Sequence, residues 1–284
     1  MKPQSLISAL ALAALVRDRA CLIVDCRKEL ADVDSGRRAY AAAHLPAAVY
    51  ADLDHDLSDV SMHGLGRHPL PDAAAFSATL SHWGWQPSIP VVVYDDAGVA
   101  LAAARLWWML RLVGARDVAV LDGGIAAWRN AGFALTEEPT QRTPSVIDID
   151  FDARQMVGYD ELAAALAEGS STLIDARATP RYRGDVEPLD RVAGHVPGAL
   201  NRPFSSNLDS AGRFKSAPQL RTEFAALIGA DAPGSVVHMC GSGVTACHNL
   251  LAMEHAGLAG SRVFAPSWSG WISDPGRPIA LGGL

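Results

Sequence analysis

The sequence predicts an α/β protein built from two tandem units, each a parallel sheet flanked by helices. Three observations carry this. Short runs such as Ile23-Val24, Val91-Val92-Val93, Leu173-Ile174 and Val236-Val237 have no polar alternation, which marks strands covered on both faces. Longer stretches with helical spacing separate them, as right-handed crossovers require. The third is an internal repeat. Ile23-Val24-Asp25-Cys26-Arg27 answers to Leu173-Ile174-Asp175-Ala176-Arg177, and Ala43-His44-Leu45-Pro46 to Gly194-His195-Val196-Pro197. Val91 to Asp95 answers to Ser235 to Cys240, and Val118 to Gly124 with Trp128 to Arg262 to Ser267 with Trp271. The order is the same and the offset nearly constant.

The first unit is expected over 1–135 and the second over 153–284. Between them, 136–152 contains Glu137-Glu138-Pro139-Thr140-Gln141-Arg142-Thr143-Pro144, a polar, proline-bearing stretch that reads as a linker. Near the start, Leu6 to Val16 is apolar and follows Lys2, as a signal peptide would. It leads within a few residues into the strand Leu22 to Asp25, however, and Tyr159 to Leu166 leads into Leu173 in the same way. The stretch is therefore read as a structural helix, and the expected location is cytoplasmic. No apolar run is long enough to span a membrane.

The 284 residues carry a formal net charge of -7 with 49% hydrophobic and 19% charged residues. An acidic chain without a basic cluster argues against nucleic-acid binding. Four cysteines, Cys21, Cys26, Cys240 and Cys247, are too few for a disulfide scaffold, and their spacing fits no metal site. Neither a metal nor an organic cofactor is expected.

The stretch Val236-Val237-His238-Met239-Cys240-Gly241-Ser242-Gly243-Val244-Thr245 carries the chemistry. A buried strand runs into Cys240, two glycines follow, and a helical pattern starts near Val244. Gly241 and Gly243 allow backbone N–H groups to converge on one centre, and the helix N-terminus adds positive potential there. A thiolate is stabilised in such a place, so Cys240 is read as a nucleophile. The first copy has Asp95-Asp96-Ala97-Gly98-Val99 at the matching place, and an aspartate cannot do a thiolate's work. One unit is then catalytic and the other an inactive copy forming one wall of a cleft.

These motifs resemble the tandem-domain rhodanese family of sulfurtransferases over almost the whole chain. The resemblance rests on the elements at His44 and His195, the segment Leu121 to Trp128, the loop Cys240 to Thr245, and Ser267-Trp268-Ser269-Gly270-Trp271. It implies that Cys240 takes a sulfur atom from a small donor, becomes a persulfide, and passes the outer sulfur to a thiol, cyanide or a thioredoxin-like acceptor. Thiosulfate-preferring members carry cationic residues directly after the cysteine. The Gly241-Ser242 form here looks like that of the 3-mercaptopyruvate-using branch, with thiosulfate as the alternative donor.

On that resemblance Ser242 supplies a hydroxyl and His44 relays a proton to the departing enolate. Asp32 and Asp34 are both in range as partners of His44. Arg181 matches the arginine that grips the donor's carboxylate, and the amides of Gly241, Gly243, Val244 and Thr245 surround the sulfur. Thr245 either hydrogen-bonds the substrate or caps the helix. The place of the family's second arginine falls close to Asp190, with Arg191 as its neighbour and the available candidate. Gly270 stands where relatives often have an acidic residue.

Cys21, Cys26, Cys247, His195, His238, His248 and the tryptophans are expected to be structural. Two other classes fit less well. Cysteine phosphatases need an arginine about six positions after the nucleophile, whereas Ala246 stands here and no arginine occurs before Arg262. A non-catalytic binding module on the same fold would not need Cys240 and its glycines.

Overall fold

The computed structural model describes residues 5–283 apart from 19, 30 and 97–101. The chain divides into two compact units. One comprises Met1–Asp59, Leu70–Asp152 and Ser210–Phe214, and the other Val60–Pro69, Ala153–Asp209 and Lys215–Leu284. Each unit is thus completed by a short segment from the other half of the sequence. The main break falls between Asp152 and Ala153. The exchange of Val60–Pro69 and Ser210–Phe214 was not expected, because a loop's allegiance depends on what it packs against, which composition does not encode.

The first unit runs β1 (Leu6–Ile7), α1 (Ala9–Arg17), β2 (Leu22–Asp25), α2 (Ser35–Ala42), β3 (Ala48–Tyr50), α3 (Ala73–His82), β4 (Val91–Tyr94), α4 (Ala102–Leu112), β5 (Val118–Leu121) and α5 (Gly124–Asn130). Its parallel sheet has the order β1-β5-β4-β2-β3. The expected N-terminal helix starts later than its apolar run does. Leu6 and Ile7 pair with Val120 and Leu121 as an edge strand, and Ser8 caps α1 by accepting from Ala11 N–H, as a serine N-cap does. Every residue of β2 and β4 is buried, as expected for strands covered on both faces.

The second unit repeats the plan with α6 (Tyr159–Glu168), β6 (Thr172–Asp175), α7 (Thr179–Arg183), β7 (Leu200–Asn201), α8 (Ala217–Ile228), β8 (Val236–Met239), α9 (Ala246–His255), β9 (Arg262–Val263) and α10 (Ser267–Trp271). The sheet order is β7-β6-β8-β9. A parallel bridge from Met156 to Val263 takes the edge position that β1 holds beside β5.

The repeat extends to single hydrogen bonds. Arg27 Nη2 donates to Asp25 at 2.7 Å and to Ala43 O at 2.6 Å, while Arg177 Nη2 donates to Asp175 at 2.6 Å and to Gly194 O at 2.7 Å. His44 stacks on Tyr40 with its Nδ1 2.7 Å from Tyr40 O, and His195 stacks on Tyr182 with its Nδ1 2.8 Å from Tyr182 O. The backbone of each histidine pairs with a later extended residue, Thr136 or Ala280, through two bonds of 2.9 Å. These matching clamps assign His44 a structural place. Its second ring nitrogen faces Glu138 O at 3.1 Å and the residue is fully buried.

Residues 137–152 contain no regular element and run along the first unit. Ser145 Oγ donates to Trp85 O at 2.6 Å, Ile149 N–H to Ser77 Oγ at 3.2 Å and Asp152 N–H to Leu112 O at 2.9 Å. The expected linker is a strap fixed to one unit.

The two central helices, α4 and α9, are buried along nearly their whole length, polar members included: Arg105 donates to Leu57 O and Asn249 to Arg202 O, as buried polar groups must. Trp107, Trp268 and Trp271 are buried with their indole N–H groups bonded to Val118 O, Val192 O and Pro278 O, the usual condition for a core tryptophan. No described helix is long and apolar enough to cross a membrane.

Candidate active site

Cys240 follows β8 directly, at the carboxyl end of the second sheet, where open α/β sheets place their ligand sites. The helix behind it, α9, begins at Ala246, two residues later than the pattern suggests. The intervening residues instead form an irregular loop. Gly243 N–H donates to Cys240 Sγ at 3.2 Å, the geometry of an amide that stabilises a sulfur anion. This requires Gly243 at φ +79°, where a Cβ would lie 2.2 Å from Ala265 O. No other residue fits there.

The backbone of Cys240 is fixed from the β9–α10 turn. Its N–H donates to Ser267 Oγ at 3.0 Å, and Ser267 Oγ donates to Phe264 O at 3.0 Å. Trp268 N–H and Ser269 N–H donate to Cys240 O and Gly241 O, each at 2.9 Å. Ser267 sits at φ +53°, and its repeat counterpart Gly124 at φ +56°. A serine accepts this unfavourable conformation in the second unit, where its hydroxyl satisfies a buried N–H.

Ser242 is buried, with its Oγ 2.8 Å from Nδ1 of His68. His68 arrives on the segment Val60–Pro69. The histidine that meets Ser242 is therefore not His44, whose ring nitrogens face the carbonyls of Tyr40 and Glu138. The expected carboxylate partnership of His44 fails with it: Asp32 is ion-paired with Arg38, and Asp34 stands at the start of α2. The family resemblance favoured His44, which lies in a repeated motif. His68 lies in a glycine- and proline-bearing loop, and its one sequence signal is the run Arg67-His68-Pro69.

Arg181, on α7, sits beside the loop. A Cβ built on Gly241 would lie 3.6 Å from both Nη1 and Nη2 of Arg181, and 2.9 Å from Nη2 of Arg67. Arg181 donates to Glu187 (Nη2 to Oε1, 2.7 Å) and to Asp190 Oδ2 (3.0 Å). Arg67 Nη1 pairs with Asp190 Oδ1. Burial opposes the charge of Glu187, but bonds from Arg181 and from the Leu189 and Asp190 N–H groups outweigh it and hold the carboxyl below its ordinary range. Asp190 is shifted upward, burial prevailing over the attraction of Arg67 and Arg181.

Arg191, expected to help bind the donor, is committed elsewhere: its Nη2 donates to Ile272 O, tying the loop to the end of α10. Val244 is buried, and Thr245 stands at the N-cap of α9 without a side-chain capping bond. Cys247 is fully buried and donates to Gly243 O at 3.4 Å. Burial raises the Cys21 thiol to about 11 and, helped by Asp95 and Asp25, pushes Cys26 well up. Gly270 has no room for a side chain, since a Cβ would lie 2.5 Å from Tyr159 Oη and 2.5 Å from Pro266 Cβ. In the first unit Asp95 occupies the place of Cys240, its Oδ2 accepting from Ala103 N–H at 3.1 Å. Residues Ala97, Gly98 and Val99 lie outside the described residues. Among the described residues no group of three or more His, Cys, Asp or Glu side chains could hold a metal ion.

A cysteine on a glycine loop after the central strand, in a sheet unit present twice, defines a class. The rhodanese-like domain model matches residues 8–131 and 159–274, and the chain belongs to that family. It is 46% identical over 284 residues to a Pseudomonas aeruginosa protein provisionally designated 3-mercaptopyruvate sulfurtransferase, covering 99% of this chain and 100% of that one. It is 41% identical over 286 residues to Mycobacterium tuberculosis SseB, provisionally designated a thiosulfate sulfurtransferase, covering 98% of each. Among solved structures, 3-mercaptopyruvate sulfurtransferase from Leishmania major superposes with a TM-score of 0.81 at 31% identity, covering 95% of this chain and 74% of that one.

Proposed function

We propose that this chain is a sulfurtransferase that takes sulfur from 3-mercaptopyruvate by ping-pong covalent catalysis on Cys240. The Cys240 thiolate attacks the donor's thiol sulfur, and an S–S bond forms as the donor's C–S bond breaks. The electron pair leaves with carbon as the enolate of pyruvate, which then takes a proton at that carbon. Arg181 meets the donor's carboxylate with its planar fork. The loop amides of 241–245 hold charge on the sulfur, and Ser242 with His68 delivers the proton. A thiol, cyanide or reduced thioredoxin-like acceptor then removes the outer sulfur and frees the thiolate.

The reading is carried by one observation, the Gly243 N–H donated to Cys240 Sγ beside the Ser242–His68 pair. The second unit is the catalytic copy and the first, with Asp95, the inactive one. Neither a metal nor an organic cofactor takes part, and the working compartment is the cytoplasm. Thiosulfate is the second reading, favoured by two guanidinium groups at Gly241. Initial rates with each donor, using cyanide as acceptor, separate the two. Intact-protein mass spectrometry after donor alone should show a one-sulfur increment that disappears in Cys240→Ser; no increment with either donor rejects sulfur transfer.

A further inference from the structure

We propose that Arg67 is a donor-binding residue, the second cation of the anion site, held beside Arg181 by Asp190. This deepens the sulfurtransferase reading and rests on it. The expected second arginine is missing: Asp190 stands near its place, and Arg191 donates to Ile272 O. The structure fills the gap from a distant part of the sequence. Arg67 Nη2 comes within 2.9 Å of where a Gly241 Cβ would stand, closer than either Nη of Arg181. Two guanidinium groups thus occupy the space directly above the residue after the nucleophile. Here Gly241 leaves room for cations brought in from outside the loop.

The backbone that carries Arg67 is fixed on both sides. Its N–H donates to Ser269 Oγ at 3.0 Å, and the next residue, His68, meets Ser242 at 2.8 Å. The preceding Gly66 adopts φ +92°, with a Cβ there falling 2.6 Å from Pro266 O. Asp190 accepts from Arg67 through one carboxylate oxygen and from Arg181 through the other. It holds two like charges together and fixes their spacing, so it is a positioning residue. The Arg67 side chain keeps 33% of its surface open and that of Arg181 18%, so an anion from solvent can reach both. A guanidinium has five donors, enough to hold Asp190 and still meet a carboxylate.

The test measures 3-mercaptopyruvate binding by calorimetry in the Cys240→Ser background, where no sulfur can move. Arg67→Gln should weaken binding by about tenfold or more, the loss of one charge-assisted bond, and Arg67→Lys should recover part of it. An unchanged Kd in Arg67→Gln overturns the proposal. Arg67→Gln also uncovers the Asp190 carboxylate, so Arg67→Gln/Asp190→Asn is measured beside it. Binding that stays weak supports direct contact, whereas binding restored to the parent value overturns it. The mass increment of the unmutated protein reports separately on sulfur transfer. Arg67-dependent binding without that increment would reject the sulfurtransferase reading and leave the anion site standing.

Discussion

Cys240, Ser242, His68 and Arg181 divide the proposed reaction between them, and kinetics should separate their shares. Cys240→Ser is expected to abolish turnover and the one-sulfur mass increment while leaving thermal unfolding unchanged. Arg181→Ala should raise the KM for 3-mercaptopyruvate by about 10- to 100-fold, the worth of a hydrogen bond to a charged group. Discharge of a preformed persulfide to cyanide should be nearly unaffected. Equal damage to both half-reactions would exclude Arg181 from donor binding. His68→Gln should lower kcat by about 10²-fold or more, the low end for a lost proton relay. The same change at His44 should act on stability, because its ring meets the carbonyls of Tyr40 and Glu138.

Two turns hold the loop's shape, at Gly243 and at Ser267. Gly243→Ala combines a left-handed backbone with a Cβ only 2.2 Å from Ala265 O. It should both lower Tm and remove activity, since the N–H that meets the sulfur moves with the turn. Ser267 offers a sharper comparison. Ser267→Ala keeps the strained φ and leaves the buried Cys240 N–H without its acceptor, at a cost of about 1–3 kcal/mol. Ser267→Gly loses the same bond but relieves about 1–2 kcal/mol of left-handed strain. Calorimetric Tm should therefore fall further for alanine than for glycine. The reverse order would show that backbone freedom matters more than strain at this turn.

Over the molecule, two buried histidines set an acid limit. Burial pushes His238 down to about 3, and burial with repulsion from Arg202 does the same to His248. Both are neutral in the folded state, whereas the unfolded chain protonates them below their ordinary 6.5. Unfolding then takes up protons, so stability is lost as pH falls from 6.5 towards 3. At pH 5 each histidine should account for about 2 kcal/mol. Urea midpoints measured from pH 7 to 5 should show this decline, and His238→Leu should remove about half of its slope. An unaltered slope would place the acid sensitivity elsewhere.

What the sequence by itself determined was most of what is local or repeated. Strand runs such as Val91-Val92-Val93, the echo of His44 in His195, and the glycines after Cys240 are legible because burial and turn geometry select residue types at fixed spacing. Arg181 entered only through the family resemblance, and the same resemblance misled at His44, since a residue in a repeat serves the shared clamp first. Tertiary structure alone decided that Val60–Pro69 completes the second unit, bringing Arg67 and His68 to Ser242 and Gly241. It also decided that Asp190 joins two arginines while Arg191 holds Ile272. The physical reason is that a loop's neighbours are chosen by the packing of the whole chain, and nothing in Gly66-Arg67-His68-Pro69 states which surface it will meet.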